Sequence, residues 1–64
     1  MTPTAFLATI HRLGLSQSGA ATLLGVSRGA VTRWAQGTRA IPGPVVRLLA
    51  LLDADQRNVE RLQG

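Results

Sequence analysis

Two short stretches decide how this chain is divided: Gly14-Leu15-Ser16 and Gly25-Val26-Ser27. In each, a glycine suits the turn that ends a helix, an apolar residue points back inside, and a serine offers the oxygen that starts the next helix. A chain punctuated this way folds into short helices with tight links. Thr2 and Pro3 supply a further start, with proline at the first helical position, where its missing N–H costs nothing. The apolar spacing predicts a first helix with Phe6, Leu7, Ile10 and Leu13 inward, ended by Gly14. A second helix is expected from Gln17 to Leu24, burying Ala20, Ala21 and Leu24. A third is expected from Arg28 to Gln36, burying Val31 and Trp34 and ended by Gly37. The stretch from Gly37 to Pro44 holds two glycines and two prolines and reads as an extended connection. From Pro44 a fourth helix carries Val45, Leu48, Leu49 and Leu52 on one stripe. Asp53 and Gln56 have capping-box spacing and predict a fifth helix to about Leu62, although no glycine or proline between them and Pro44 prevents one continuous helix. The expected fold is all-α, five helices in a single domain spanning residues 1–64.

At 64 residues the chain can bury only one small core, and cores of that size are marginal. With no cysteine and a single histidine, neither a disulfide nor a metal is expected to reinforce it, which leaves a second copy of the chain as the expected supplement. His11 has no cysteine, second histidine or nearby acid to complete a metal or acid–base site and reads as a surface residue. There is no paired acid and base, activated nucleophile or phosphate loop, so neither an enzyme nor a cofactor is expected. The start, Met1-Thr2-Pro3-Thr4, lacks the basic and apolar regions of a signal peptide, and no run reaches membrane-spanning length. A cytoplasmic location, in a bacterium or encoded by its phage, is the expectation.

Charge is placed unevenly. All seven basic residues are arginines, and the three acids, Asp53, Asp55 and Glu60, all follow Leu52. Residues 1–52 therefore carry +5 and residues 53–64 carry −1, for the net +4. An acid-free basic region attracts polyanions over long range, and nucleic acid is the commonest of these. Arg57 and Arg61 stand near Asp53 and Glu60 at helix-surface spacings that suit ion pairs, whereas Arg12 and Arg47 are open between phosphate contacts and solubility.

The stretch from Gln17 to Trp34 places two short helices on either side of Leu24-Gly25-Val26-Ser27. Helices that cross steeply need small residues where they touch and a glycine where the chain reverses, and Ala21 and Gly25 meet those needs. Leu24, Val26, Val31 and Trp34 supply the apolar contacts that fix the crossing. The exposed set at the start of the third helix is then Arg28, Gly29, Thr32 and Arg33.

The text LGLSQSGAATLLGVSRGAVTRWAQGTRAIP, from Leu13 to Pro42, resembles the Cro/repressor-type (XRE-like) helix-turn-helix domains, and the five-helix plan extends the likeness over nearly the whole chain. The later WAQGTRAIPGPVVRLLALL and NVERL look like small regulators and antitoxins of that family. Gly19 and Ala35 depart from it, since the family often has a longer residue and a glutamate there. The resemblance implies that the helix-turn-helix spans residues 17–36 and that the third helix lies in the major groove. It implies base contacts by Arg28, Gly29, Thr32 and Arg33, and phosphate contacts by Gln17, Ser27 and Arg39. Such a protein is expected to repress its own operon from a palindromic double-stranded DNA operator. Val45, Val46 and Leu48 to Leu52 are apolar almost all round, so residues 44–63 are the expected dimerisation segment, with Val46, Leu51, Val59 and Leu62 as interface candidates. Two alternatives stand beside this: an antitoxin with a toxin partner and autoregulatory DNA binding, or a protein-interaction module using the apolar fourth helix.

Overall fold

The computed structural model describes the backbone of residues 1–63 and the side chains of residues 1–56. Four helices, α1 (Pro3–Arg12), α2 (Gln17–Leu24), α3 (Arg28–Gln36) and α4 (Gly43–Gln63), make up the fold, and there is no strand among the described residues. Each of the first three starts on the hydroxyl expected for it. Thr2 Oγ1 accepts from Ala5 N at 3.1 Å, Ser16 Oγ from Gly19 N at 2.9 Å and Ser27 Oγ from Ala30 N at 3.1 Å. A cap of this kind contributes about 1 kcal/mol to the helix it starts.

The same three helices end alike. A backbone N–H just past each helix reaches back to a carbonyl five residues earlier: Leu15 to Ile10 at 2.9 Å, Val26 to Ala21 at 3.0 Å and Thr38 to Arg33 at 3.0 Å. The residue between is a glycine in the left-handed region. At Gly25, φ is +69° and nothing lies within 4 Å of where a Cβ would stand, so backbone conformation alone selects glycine at this reversal. At Gly37, φ is +78° and a Cβ would also come within 3.1 Å of Pro3 Cγ, so this glycine lets the end of α3 lie against the start of α1.

Phe6 and Ile10 of α1, Ala20 and Ala21 of α2, Val31 and Trp34 of α3 and Leu49 of α4 form one buried cluster. Phe6 and Trp34 meet edge to face, ring centroids 6.0 Å apart and planes at 89°. Leu13, Leu15, Leu24, Val26, Ile41 and Val45 pack around this centre. The small pair Ala20 and Ala21 lets α2 approach α3 closely, while α1 packs on both α3 and α4. Thus α3 is gripped from its inner side by α1 and α2, and its other side is left outward.

Two expectations are corrected. The fourth and fifth helices are one continuous helix, α4, because Asp53 does not cap a new one. Its carboxylate faces α1 instead, accepting from Arg12 Nε on Oδ1 at 3.1 Å and from Arg12 Nη2 on Oδ2 at 2.9 Å. Arg12 Nη2 also lies 3.3 Å from Thr9 Oγ1, whose hydroxyl donates to Ala5 O at 2.8 Å. Asp53 is buried, and this two-pronged bond fastens the middle of α4 to the end of α1. Arg12, open between two surface roles in the sequence, is therefore a structural residue, and the hydrogen bond to Asp53 raises its guanidinium pKa still further. Second, Leu7 and Leu48, expected inward, are 38% and 40% exposed. On α4 the stripe of Val45, Leu49 and Asp53 faces α1, and Leu48 falls beside it. Of the interface candidates, Val46 is half-buried and Leu51 is 64% exposed. Five residues apart, they stand about 140° apart round the helix. The side chains of Arg57, Val59, Arg61 and Leu62 lie outside the described residues. No helix among the described residues is long and apolar enough to cross a membrane.

Candidate nucleic-acid interface

The turn Gly25-Val26-Ser27 sets the start of α3 at the surface. Val26 is drawn into the core edge by its bond to Ala21 O, and Ser27 then caps α3 one residue later. Arg28 and Gly29 are the first two residues of α3 and both are exposed. Arg33, one turn on, is exposed as well, while its neighbour Trp34, about 100° round the helix, is 4% exposed. A helical side chain leans toward the N-terminus of its helix. Arg33 follows this rule, with its Nη2 3.9 Å from the point where a Gly29 Cβ would stand. The lean gathers the Arg33 guanidinium toward the end of α3 that already carries Arg28.

Thr32 lies between the two arginines and is half-buried. Its hydroxyl oxygen is 3.0 Å from Arg28 O and 3.4 Å from Gln17 Oε1. One hydroxyl proton serves one of these at a time, and the shorter approach to Arg28 O is the better bond. Gln17, first residue of α2, thus meets the outer face of α3 across 15 positions of sequence. No sequence signal marks this pairing, beyond a polar residue at the start of one helix and another in the middle of the next. It brings a position expected at phosphate to within 3.4 Å of one expected at base edges.

Ser27 is exposed with its oxygen occupied as an acceptor by Ala30 N, and its O–H remains to donate outward. Arg39 is exposed on the loop between α3 and α4 and forms no hydrogen bond or ion pair among the described residues. Arg28 and Arg33 form no ion pair there either, in contrast to Arg12. With Arg12 paired to Asp53, the positive charge of the first three helices and the loop after them that has no ion-pair partner among the described residues lies at positions 28, 33 and 39. His11 is exposed, and no group of His, Cys, Asp and Glu among the described residues is arranged to hold a metal.

Gly29 offers a test that separates fold from interface. A Cβ there would stand 3.9 Å from both Arg33 Nη2 and Ser27 Oγ, an ordinary contact, and the backbone is helical. Alanine should therefore stabilise α3 by about 0.5–1 kcal/mol through helix propensity. If the glycine exists to let the backbone approach another molecule, the same change weakens binding. The expected outcome for Gly29→Ala is a higher melting temperature by circular dichroism with lower affinity for duplex DNA. Unchanged affinity would place Gly29 outside the contact surface.

A family model described as a helix-turn-helix domain matches residues 9–62, which includes all of α2 and α3. Comparison with curated proteins and with solved structures gave no match.

Proposed function

We propose that this chain, which belongs to the helix-turn-helix domain family of the XRE/Cro-like group, is a transcription regulator that reads double-stranded DNA through the start of α3. The observation that carries this reading is the outward tip of α3, where Arg28, Gly29 and Arg33 stand exposed on a helix clamped from behind by α1 and α2. A rod of this size fits the major groove, and arginine pairs bidentately with O6 and N7 of guanine. Arg33 and Arg28 read bases, and Gly29 keeps the backbone close to them. Thr32, its hydroxyl turned back to Arg28 O, presents its methyl group to a thymine methyl. Gln17, Ser27 and Arg39 hold phosphates on either side and set the register rather than the sequence preference.

Two copies place two such tips about 34 Å apart, one turn of DNA, and prefer a palindromic operator. Occupancy of an operator in its own promoter represses the operon by blocking the polymerase. The family is typically non-enzymatic, and the chemistry proposed here is binding alone.

Salt titration tests the electrostatic half of this reading. Each phosphate neutralised by an arginine contributes about −0.9 to the slope of log K against log salt concentration. Arg39 from two copies gives about −2, so the measured slope for duplex DNA should be that steep or steeper. Affinity that ignores salt, or no affinity for duplex DNA at all, would contradict it.

A further inference from the structure

The large exposed apolar side chains of α4 are gathered on one stripe. Pro44, Leu48 and Leu51 follow one another at four and three residues, with Leu48 at 40% and Leu51 at 64% exposure. Together with Gly43 and Arg47 they line a shallow depression. The stripe facing α1, through Val45, Leu49 and Asp53, lies about 130° away round the helix, so this depression belongs to a separate face. Charge flanks it with a definite order. Arg47 is four residues before Leu51 and Asp55 four residues after it; both are exposed, and neither is ion-paired among the described residues.

We infer that this stripe is where a second copy of the chain packs, the two α4 helices running antiparallel about a two-fold axis beside Leu51. In that arrangement a residue four places after Leu51 comes level with the residue four places before it in the other copy. Asp55 of each chain therefore lies within arginine reach of Arg47 of its partner, twice over by symmetry. Leu51 of each copy packs on Leu51 of the other at the axis, at the edge of both depressions, covering the most exposed large apolar side chain of the described residues. A parallel pair would instead set Arg47 beside Arg47 and Asp55 beside Asp55, where like charges repel. The order of charge along the stripe thus selects both the occupant and its direction. The inference rests on the homodimer reading given above and is independent of whether α3 touches DNA.

The test is sedimentation velocity without DNA, across a concentration series, with circular dichroism confirming that each variant is folded. Arg47→Asp and Asp55→Arg should each weaken the dimer about tenfold or more by placing like charges together, and the double swap should restore it. Because the chain has no cysteine, Leu51→Cys under mild oxidation should give a disulfide-linked dimer, which requires the two Cα atoms within about 7 Å. Ala50→Cys, exposed about 100° round the helix from Leu51, should not. A chain that stays monomeric, or a double swap that fails to restore association, would overturn the inference. Binding of duplex DNA by such a monomer would leave the role of α3 intact. Restored pairing in a protein without affinity for DNA would uphold the antiparallel dimer and remove the proposed function.

Discussion

Trp34→Ala is expected to leave the chain largely unfolded at room temperature. Trp34 is 4% exposed, stands edge-on to Phe6, and is the point at which α3 is held to α1. Cutting a buried tryptophan back to alanine costs about 3–5 kcal/mol, as lost transfer energy and as a cavity. A domain below 70–80 residues rarely holds more than about 3–5 kcal/mol in its core. The two figures are equal, so the substitution removes most or all of the net stability. Phe6 is fully buried and faces the same ring, and Phe6→Ala should behave the same way. The measurement is helical circular dichroism as a function of urea. A Trp34→Ala protein that unfolds at the same urea concentration as the parent would show that Trp34 is not part of the core.

Arg33→Ala, one residue away, should do the reverse: keep the fold and lose the DNA. Arg33 is exposed and is linked to the rest of the chain by no ion pair among the described residues, so its removal should change stability by no more than about 0.5 kcal/mol. A good bidentate arginine–guanine pair is worth roughly 1–3 kcal/mol of discrimination. Affinity for a preferred site should therefore fall on the order of 10- to 100-fold per copy, and preference at one position of each half-site should relax. Fluorescence anisotropy on a preferred and a scrambled duplex reads both effects. Equal loss on the two duplexes would move Arg33 from base reader to phosphate contact, and no loss on either would remove it from the interface. The contrast between adjacent residues follows from the helical turn of about 100° per residue: Val31 and Trp34 point in, Arg33 points out.

Much of this architecture was legible because it is built from local rules. Thr2, Ser16 and Ser27 start helices, Gly25 and Gly37 end them, and both α2 and α3 begin and end where those residues predict. Such signals act within four or five residues and need no knowledge of the rest of the fold. The misreadings came where a distant partner outbid a local one. Asp53 and Gln56 have the spacing of a cap, but the carboxylate of Asp53 reaches Arg12, 41 positions away, and α4 runs on unbroken. Leu7 and Leu48 fit the apolar spacing of their helices, yet which residues of a wide apolar stripe are covered depends on where the neighbouring helix lies. The contact between Gln17 and Thr32 was hidden for the same reason, since only the crossing of α2 over α3 brings the two together. In the candidate site, the exposure of Arg28, Gly29 and Arg33 agrees with the sequence pattern, because the same periodicity that buries Val31 and Trp34 turns them outward.

Selection of bound sequences from random duplex DNA tests the central claim, that the tip of α3 reads base edges. The expected result is enrichment of a two-fold-symmetric motif with a guanine at matching positions in its two halves. Recovery of a pool as random as the one supplied, whatever the affinity, would contradict it.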